Sequence, residues 1–251
     1  MQLEAVATIS APAVKELPAE SAKLCAAVSP GGTALTIRRW LAFEGGVDIE
    51  PDDFVFDAPG IEAVAALCAG VILANGDEQR VATLIAAGAD CIFVGEAALQ
   101  DSSVVDRLVK AHGADRIGIY APLGRQSVSW SFETVSNADF KTVAPSHCEP
   151  AWEVLRADGT GSGALAIWWL QAMREMGASH FLARMDIHDD TDLNLCAGLI
   201  EELGSALWIG PLLDAAPRLA DWVDYGQCRQ IVLPVAAYAR RADLLAATPA
   251  S

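Results

Sequence analysis

The chain has 251 residues, 53% of them hydrophobic and 20% charged, which is enough apolar material for a large core and excludes a disordered chain. Its 33 acidic and 17 basic side chains leave a formal net charge of −16, a field that repels nucleic acid and anionic membranes. No apolar run reaches the roughly 18 to 20 residues that span a bilayer, and Met1-Gln2-Leu3-Glu4 lacks the basic flank and apolar core of a signal peptide, so the expected location is cytoplasmic.

The segment 1–53 offers two candidate strands, Ala5 to Ile9 and Thr33 to Ile37, with a tight turn at Pro30-Gly31-Gly32. From residue 54 the alternation is regular. Phe54-Val55-Phe56-Asp57 reads as a strand, Pro59 to Cys68 as a short helix, and Val71 to Ala74 as the next strand. A helical stretch runs to Ala87-Gly88, followed by the strand Cys91-Ile92-Phe93-Val94, a second helical stretch to Gly113, and the strand Ile117 to Tyr120. Each apolar run is continuous, as in strands buried on both faces, and each helix is long enough for a parallel crossover.

Beyond Tyr120 the pattern loosens into an irregular excursion over about 121–163, with its clearest turn signal at Asp158 to Gly163. Its part from Arg125 to Pro150 is a candidate lid over the mouth. Helix resumes from Ala164 to Met176 and closes on Gly177. The strand His180 to Asp186 follows, then a helix from about Asp192 to Leu203, the strand Ala206 to Gly210, a helix around Ala216 to Trp222, the strand Gln230 to Leu233 and a last helix near Ala236 to Leu245. Seven strands from residue 54, with one more from the first fifty residues, predict an α/β fold: a single-domain (β/α)8 barrel.

The run Ile72-Leu73-Ala74-Asn75-Gly76-Asp77-Glu78-Gln79-Arg80, continued by Leu84 to Asp90 and Ile92 to Leu99, resembles the middle of the histidine-biosynthesis isomerase and cyclase family. These are βα barrels that process phosphoribosylformimino-aminoimidazole carboxamide ribotide. Met185-Asp186-Ile187-His188-Asp189-Asp190-Thr191-Asp192-Leu193 is similar to the family's Asp-Ile-x-x-Asp-Gly-Thr stretch after strand six. The resemblance runs over residues 54–245 and implies the barrel, but not the isomerase reaction. Where the family binds one phosphate on small residues and amides, this chain has Asn75-Gly76-Asp77 and Gly95-Glu96, and a carboxylate there repels a phosphate. Where the family binds the second, Gly210-Pro211 and Leu233-Pro234 each lose an amide donor to proline. Strand five ends Tyr120-Ala121-Pro122, and the earlier strand-one candidate ends at Ser10-Ala11, so neither of the family's catalytic aspartates has a counterpart. Proteins resembling this family also accompany one-carbon carrier (methanopterin-type) biosynthesis, which implies a role in cofactor biosynthesis.

A parallel βα array presents its functional groups at the carboxyl ends of its strands. The acids there are Asp57, Asp77, Glu96 and Asp186, and His188 lies beside Asp186, Asp189 and Asp190. Clustered carboxylates shift one another's pKa, and a histidine among them titrates near neutrality. Asp186 as general base, with His188 as its partner and Asp57 and Glu96 nearby, is the expected catalytic set. Asn75, Gly76, Asp77, Gly95, Asp189 and Gly210 are the expected ligand-binding positions. For Asp77 the competing role is capping the helix that follows.

None of the four lysines ends a recognised strand, which argues against Schiff-base chemistry, and no Walker or GxGxxG sequence is present, so no cofactor is expected. His147 and Cys148 lack a third and fourth ligand nearby, and no metal is expected. The six scattered cysteines read as reduced core thiols. Two functions compete: a barrel enzyme, an isomerase or lyase, acting on a small metabolite at the mouth, and a catalytically inactive barrel serving as a binding or assembly subunit. The expected partners are a small molecule at the mouth, or a protein partner or second copy, with no nucleic acid and no membrane. A mouth filled by the chain's own side chains favours the second function.

Overall fold

The structure is a computed structural model and describes residues 34–44, 48–126, 133–137, 140–144 and 149–246, with only the backbone described over 133–137 and 140–144. Eight parallel strands close into a barrel: β1 (Thr36–Ala42), β2 (Phe54–Phe56), β3 (Gly70–Leu73), β4 (Ile92–Val94), β5 (Ile117–Arg125), β10 (His180–Arg184), β11 (Leu207–Gly210) and β12 (Gln230–Pro234). Each pairs with the next in that order, β5 with β10, and β12 returns to β1 in the register Thr36↔Gln230 to Trp40↔Pro234. The (β/α)8 barrel expected from the apolar runs is therefore present.

Period-two alternation divides the strands between two buried clusters. Phe54, Ile72, Phe93, Tyr120, Leu182 and Val232 form the cluster inside the barrel. Their neighbours Val55, Val71, Ile92, Ile119, Phe181 and Ile231 belong to the larger cluster that packs against the helices. The helices are α1 (Glu78–Ala86), α2 (Glu96–Gln100), α3 (Ser103–His112), α4 (Ala166–Glu175), α5 (Asp190–Leu203), α6 (Leu219–Asp224), α7 (Val235–Ala239) and α8 (Arg241–Ala246). Gly88, Gly113 and Gly177 follow α1, α3 and α4 at φ near +100°, where a glycine ends a helix without strain.

Three expectations need correcting. The first strand is Thr36–Ala42, which shares only its start with the Thr33 to Ile37 candidate; Ala5 to Ile9 and the Pro30 turn lie outside the described residues. Thr-Ile-Arg-Arg-Trp-Leu-Ala does not read as a buried run, because each arginine uses a different face. Arg38 lies over the Phe54 and Trp208 rings inside, while Arg39 forks onto Asp53, which is 1% exposed. Pro59 to Cys68 is not an α-helix but two 3-10 turns, Ile61–Ala63 and Ala65–Leu67, entered through Gly60 at φ +89°.

The excursion is also more regular than expected. β5 continues to Arg125, β8 (Trp152–Leu155) pairs antiparallel with it, and β9 (Gly161–Leu165) returns along β8. Trp152 and Val154 are buried and alternate with half-buried Glu153 and Leu155, as a one-sided sheet requires. A separate hairpin joins β6 (Glu133–Asn137) to β7 (Phe140–Ala144).

Among the described cysteines, Cys68, Cys91, Cys196 and Cys228 are buried and free, as expected of core thiols; Cys25 and Cys148 lie outside the described residues. Burial pushes the Cys68 thiol up to about 11 and the Cys91 thiol up to about 12. Contact with Cys196, and then burial, raises Cys228 well above its ordinary value. A folded-state pKa raised above the unfolded value of about 8.5 means that the thiols stabilise the fold fully below that pH. That contribution is lost as pH rises through 9 toward 11–12. The expected result is a denaturation midpoint that falls across this window, and no more than two of the six thiols reacting with Ellman's reagent at pH 8 before denaturant is added. Rapid reaction of three or more would show that the core opens locally.

Candidate functional site at the barrel mouth

The carboxyl ends of the strands converge on Arg184, the last residue of β10 and 8% exposed. Its guanidinium lies 4.2 Å from the Trp40 ring centroid and 5.5 Å from that of Phe56, a stacked cation–π arrangement. Nε donates to the Pro211 carbonyl at 2.9 Å, Nη2 to the Leu212 carbonyl at 2.6 Å, and Nη1 lies 3.4 Å from the Tyr120 hydroxyl. Phe56 meets Trp40 and Tyr120 edge to face, at 5.3 and 5.7 Å between centroids. Three aromatic rings and one arginine thus meet at the centre of the mouth, with Tyr120 buried and Trp40 and Phe56 half-buried. Arg184 has no ion-pair partner among the described residues; carbonyl dipoles and ring faces carry its charge.

Each acid expected at the mouth is present but already has a partner. Asp57 receives Arg80 in bidentate fashion, from Nε at 3.0 Å and Nη2 at 2.6 Å. Arg80 also reaches Glu62, whose carboxyl it holds below the usual carboxylate range. Asp77 caps α1, accepting the Arg80 amide at 2.9 Å, so its capping role accounts for it. Glu96 accepts Gln100 Nε2 at 3.0 Å and the Ala157 amide at 2.8 Å, tying the β8–β9 turn to the barrel.

Asp186 accepts the amides of Leu212, Leu213 and Asp214, each at 2.9 Å. Three converging amides would suit an oxyanion ligand; here they enclose the chain's own carboxylate. His188 is exposed and is held through its backbone, its amide donating to Asp192 at 3.0 Å and its carbonyl accepting from Arg218 at 3.3 Å. No hydrogen bond joins Asp186 to His188, so the expected base-and-partner pair is not assembled. Asp189 caps α5 and meets Arg125 at 2.6 Å, which lowers its pKa, with the Asp192 amide as the second cause.

The expected ligand-binding glycines serve close packing. The Gly95 and Glu96 amides donate to the Leu73 and Ala74 carbonyls of the neighbouring chain segment, so neither is available to a phosphate. A Cβ on Gly95 would lie 2.9 Å from the Ala74 carbonyl, on Gly210 2.5 Å from the Val232 carbonyl, and on Gly76 2.6 Å from the Leu73 side chain. Asn75 is exposed. Beside Gly95, Glu96, Tyr120 and Trp169 a cavity of about 20 Å³ remains, room for about one water. His147 and Cys148 lie outside the described residues.

The residues that organise the mouth, Arg184, Tyr120 and Arg80, are not among the expected site residues. The signal for Arg184 is its place in Phe181-Leu182-Ala183-Arg184: two residues after an inward leucine, it must also face inward. Trp168, on α4, is 68% exposed, Trp169 half-buried and Trp152 buried, so one of these three indoles is open to solvent. Among the described residues no helix is long and apolar enough to cross a membrane. Neither the protein-family models nor the curated proteins contain a match to this chain, so it is placed by its fold, a (β/α)8 barrel, and by the geometry of its mouth.

Proposed function

We propose that the chain is a barrel without acid–base catalysis at its mouth that serves as a binding or assembly subunit. One observation carries this reading: the guanidinium of Arg184 occupies the mouth beside Trp40 and Phe56, anchored on the Pro211 and Leu212 carbonyls. A catalytic barrel needs the opposite, free proton-transfer groups around an open volume. The engagement of Asp57, Glu96 and Asp186 by arginine and amide donors supports the same reading. The resemblance to histidine-biosynthesis barrels fits a duplicated scaffold that kept its fold and lost its reaction, in a cofactor-pathway setting.

The test is to incubate the purified chain with a metabolite extract of its source cells and follow every detectable species by mass spectrometry. The expected result is no species consumed beyond the protein's molar amount. Depletion of a metabolite by many times that amount, stopped in an Asp186→Asn variant, would overturn the reading and restore the mouth as an active site.

A further inference from the structure

The opposite end of the barrel carries a pocket of its own. Between the amino ends of β1, β11 and β12 and the carboxyl end of α5 lies a pocket of about 500 Å³. Its described lining includes Arg38, Arg229, Trp208, Ile200 and Leu207, and no Asp or Glu. In a chain with 33 acidic side chains and a net charge of −16, a pocket with two arginines and no carboxylate inverts the prevailing field.

The state of the two arginines points to a ligand. The Arg38 guanidinium lies over Trp208, 4.7 Å from the ring centroid, and its Nε is buried without a hydrogen-bond partner. Its Nη2 reaches Asp52 at 3.1 Å, but that carboxylate is 79% exposed and sits in high dielectric. Arg229 donates through Nη1 to the Val223 and Cys228 carbonyls at 2.8 and 3.0 Å, which fixes its guanidinium, and it has no ion pair among the described residues. A cavity kept only for packing is filled or apolar. This one combines fixed donors with an indole face and aliphatic walls, the mixture that binds a small molecule. Guanidinium forks suit a planar or tetrahedral oxyanion and are weakly hydrated, so they give up water readily.

We propose that this pocket binds a small organic anion, with its phosphate or carboxylate head on Arg38 and Arg229 and its apolar body against Trp208, Ile200 and Leu207. The inference rests on this pocket alone and is independent of the reading of the mouth.

Calorimetric titration of the full chain with phenyl phosphate, benzoate and inorganic phosphate tests it and separates the two kinds of head group. The expected result is one-to-one binding of phenyl phosphate or benzoate, roughly millimolar or tighter, with inorganic phosphate weaker because it leaves the apolar wall uncovered. Arg38→Gln should weaken binding about tenfold, the effect of one charge-assisted contact. Ser205→Phe, at an exposed position on the pocket wall, should block it while leaving both arginines in place, and decides the matter if Arg38→Gln does not fold. His188→Ala, at the mouth, should leave the affinity unchanged. Absence of binding by either aromatic anion, or binding that Ser205→Phe does not alter, overturns the proposal.

Discussion

Replacing Arg184 by methionine is expected to lower the stability of the barrel by about 3–5 kcal/mol. Methionine has a similar length and would leave little empty volume, so the loss comes from polar groups. The Pro211 and Leu212 carbonyls would lose donors at 2.9 and 2.6 Å from a guanidinium that is itself buried. Each charge-assisted bond of this kind contributes about 1.5–3 kcal/mol, and the stacking on Trp40 adds roughly 1–2 more when desolvated. Against this stands the cost of burying the charge itself, which methionine removes. That offset keeps the estimate below the sum.

Lysine should recover only part of the loss. An ammonium, with no planar fork, cannot sit over the Trp40 ring and bond both carbonyls at once as the guanidinium does. Urea denaturation of the wild type, Arg184→Met and Arg184→Lys gives the order directly. A methionine variant within about 1 kcal/mol of the wild type would mean that the guanidinium is not needed to hold the mouth closed, and the reading of a filled mouth would lose its basis.

The parts of the fold that were legible in the sequence are those where one physical demand acts alone. Val71 to Leu73 and Ile92 to Val94 are buried on both faces, so nothing interrupts their apolar runs. β1 is obscured because Arg38 and Arg39 stand in the middle of it, each held by a residue outside its own strand: Arg38 over the Trp208 ring, Arg39 on Asp53. Capping by Asp77 was readable because its partner is three residues away. The role of Asp186 was not, because its three amides are 26 to 28 residues away, after the next strand. At the mouth the sequence shows which acids end the strands but not what engages them. A strand-end carboxylate looks the same in sequence whether it faces a substrate or holds a loop. Arg184 gives no clear signal, because an arginine ending an apolar strand also suits a solvent-facing position.

The second large effect is expected at Phe93, where truncation to alanine should cost about 3–5 kcal/mol, chiefly through the cavity left behind. The ring is 2% exposed inside the barrel and meets Phe54 edge to face at 5.4 Å. It fits because Gly118 on β5 stands directly opposite and Gly70, two residues before its partner Ile72 on β3, also lacks a side chain. A Cβ on Gly70 would lie 2.8 Å from the ring, and one on Gly118 2.7 Å. The register places Phe93 directly opposite Gly118, so this is a cross-strand pair of one large and one absent side chain. Gly118→Ala alone should therefore overpack the lumen and cost about 1–3 kcal/mol. In a Phe93→Leu background the new methyl would meet a smaller, more adaptable side chain, and the same substitution should cost less by about 1 kcal/mol. Denaturation midpoints of the two single variants and the double variant measure that coupling. Additive costs would mean that the backbone of β4 or β5 moves to admit the methyl group. The glycine would then be tolerated rather than required, and the volume inside the barrel would be set by strand spacing instead of by this pair.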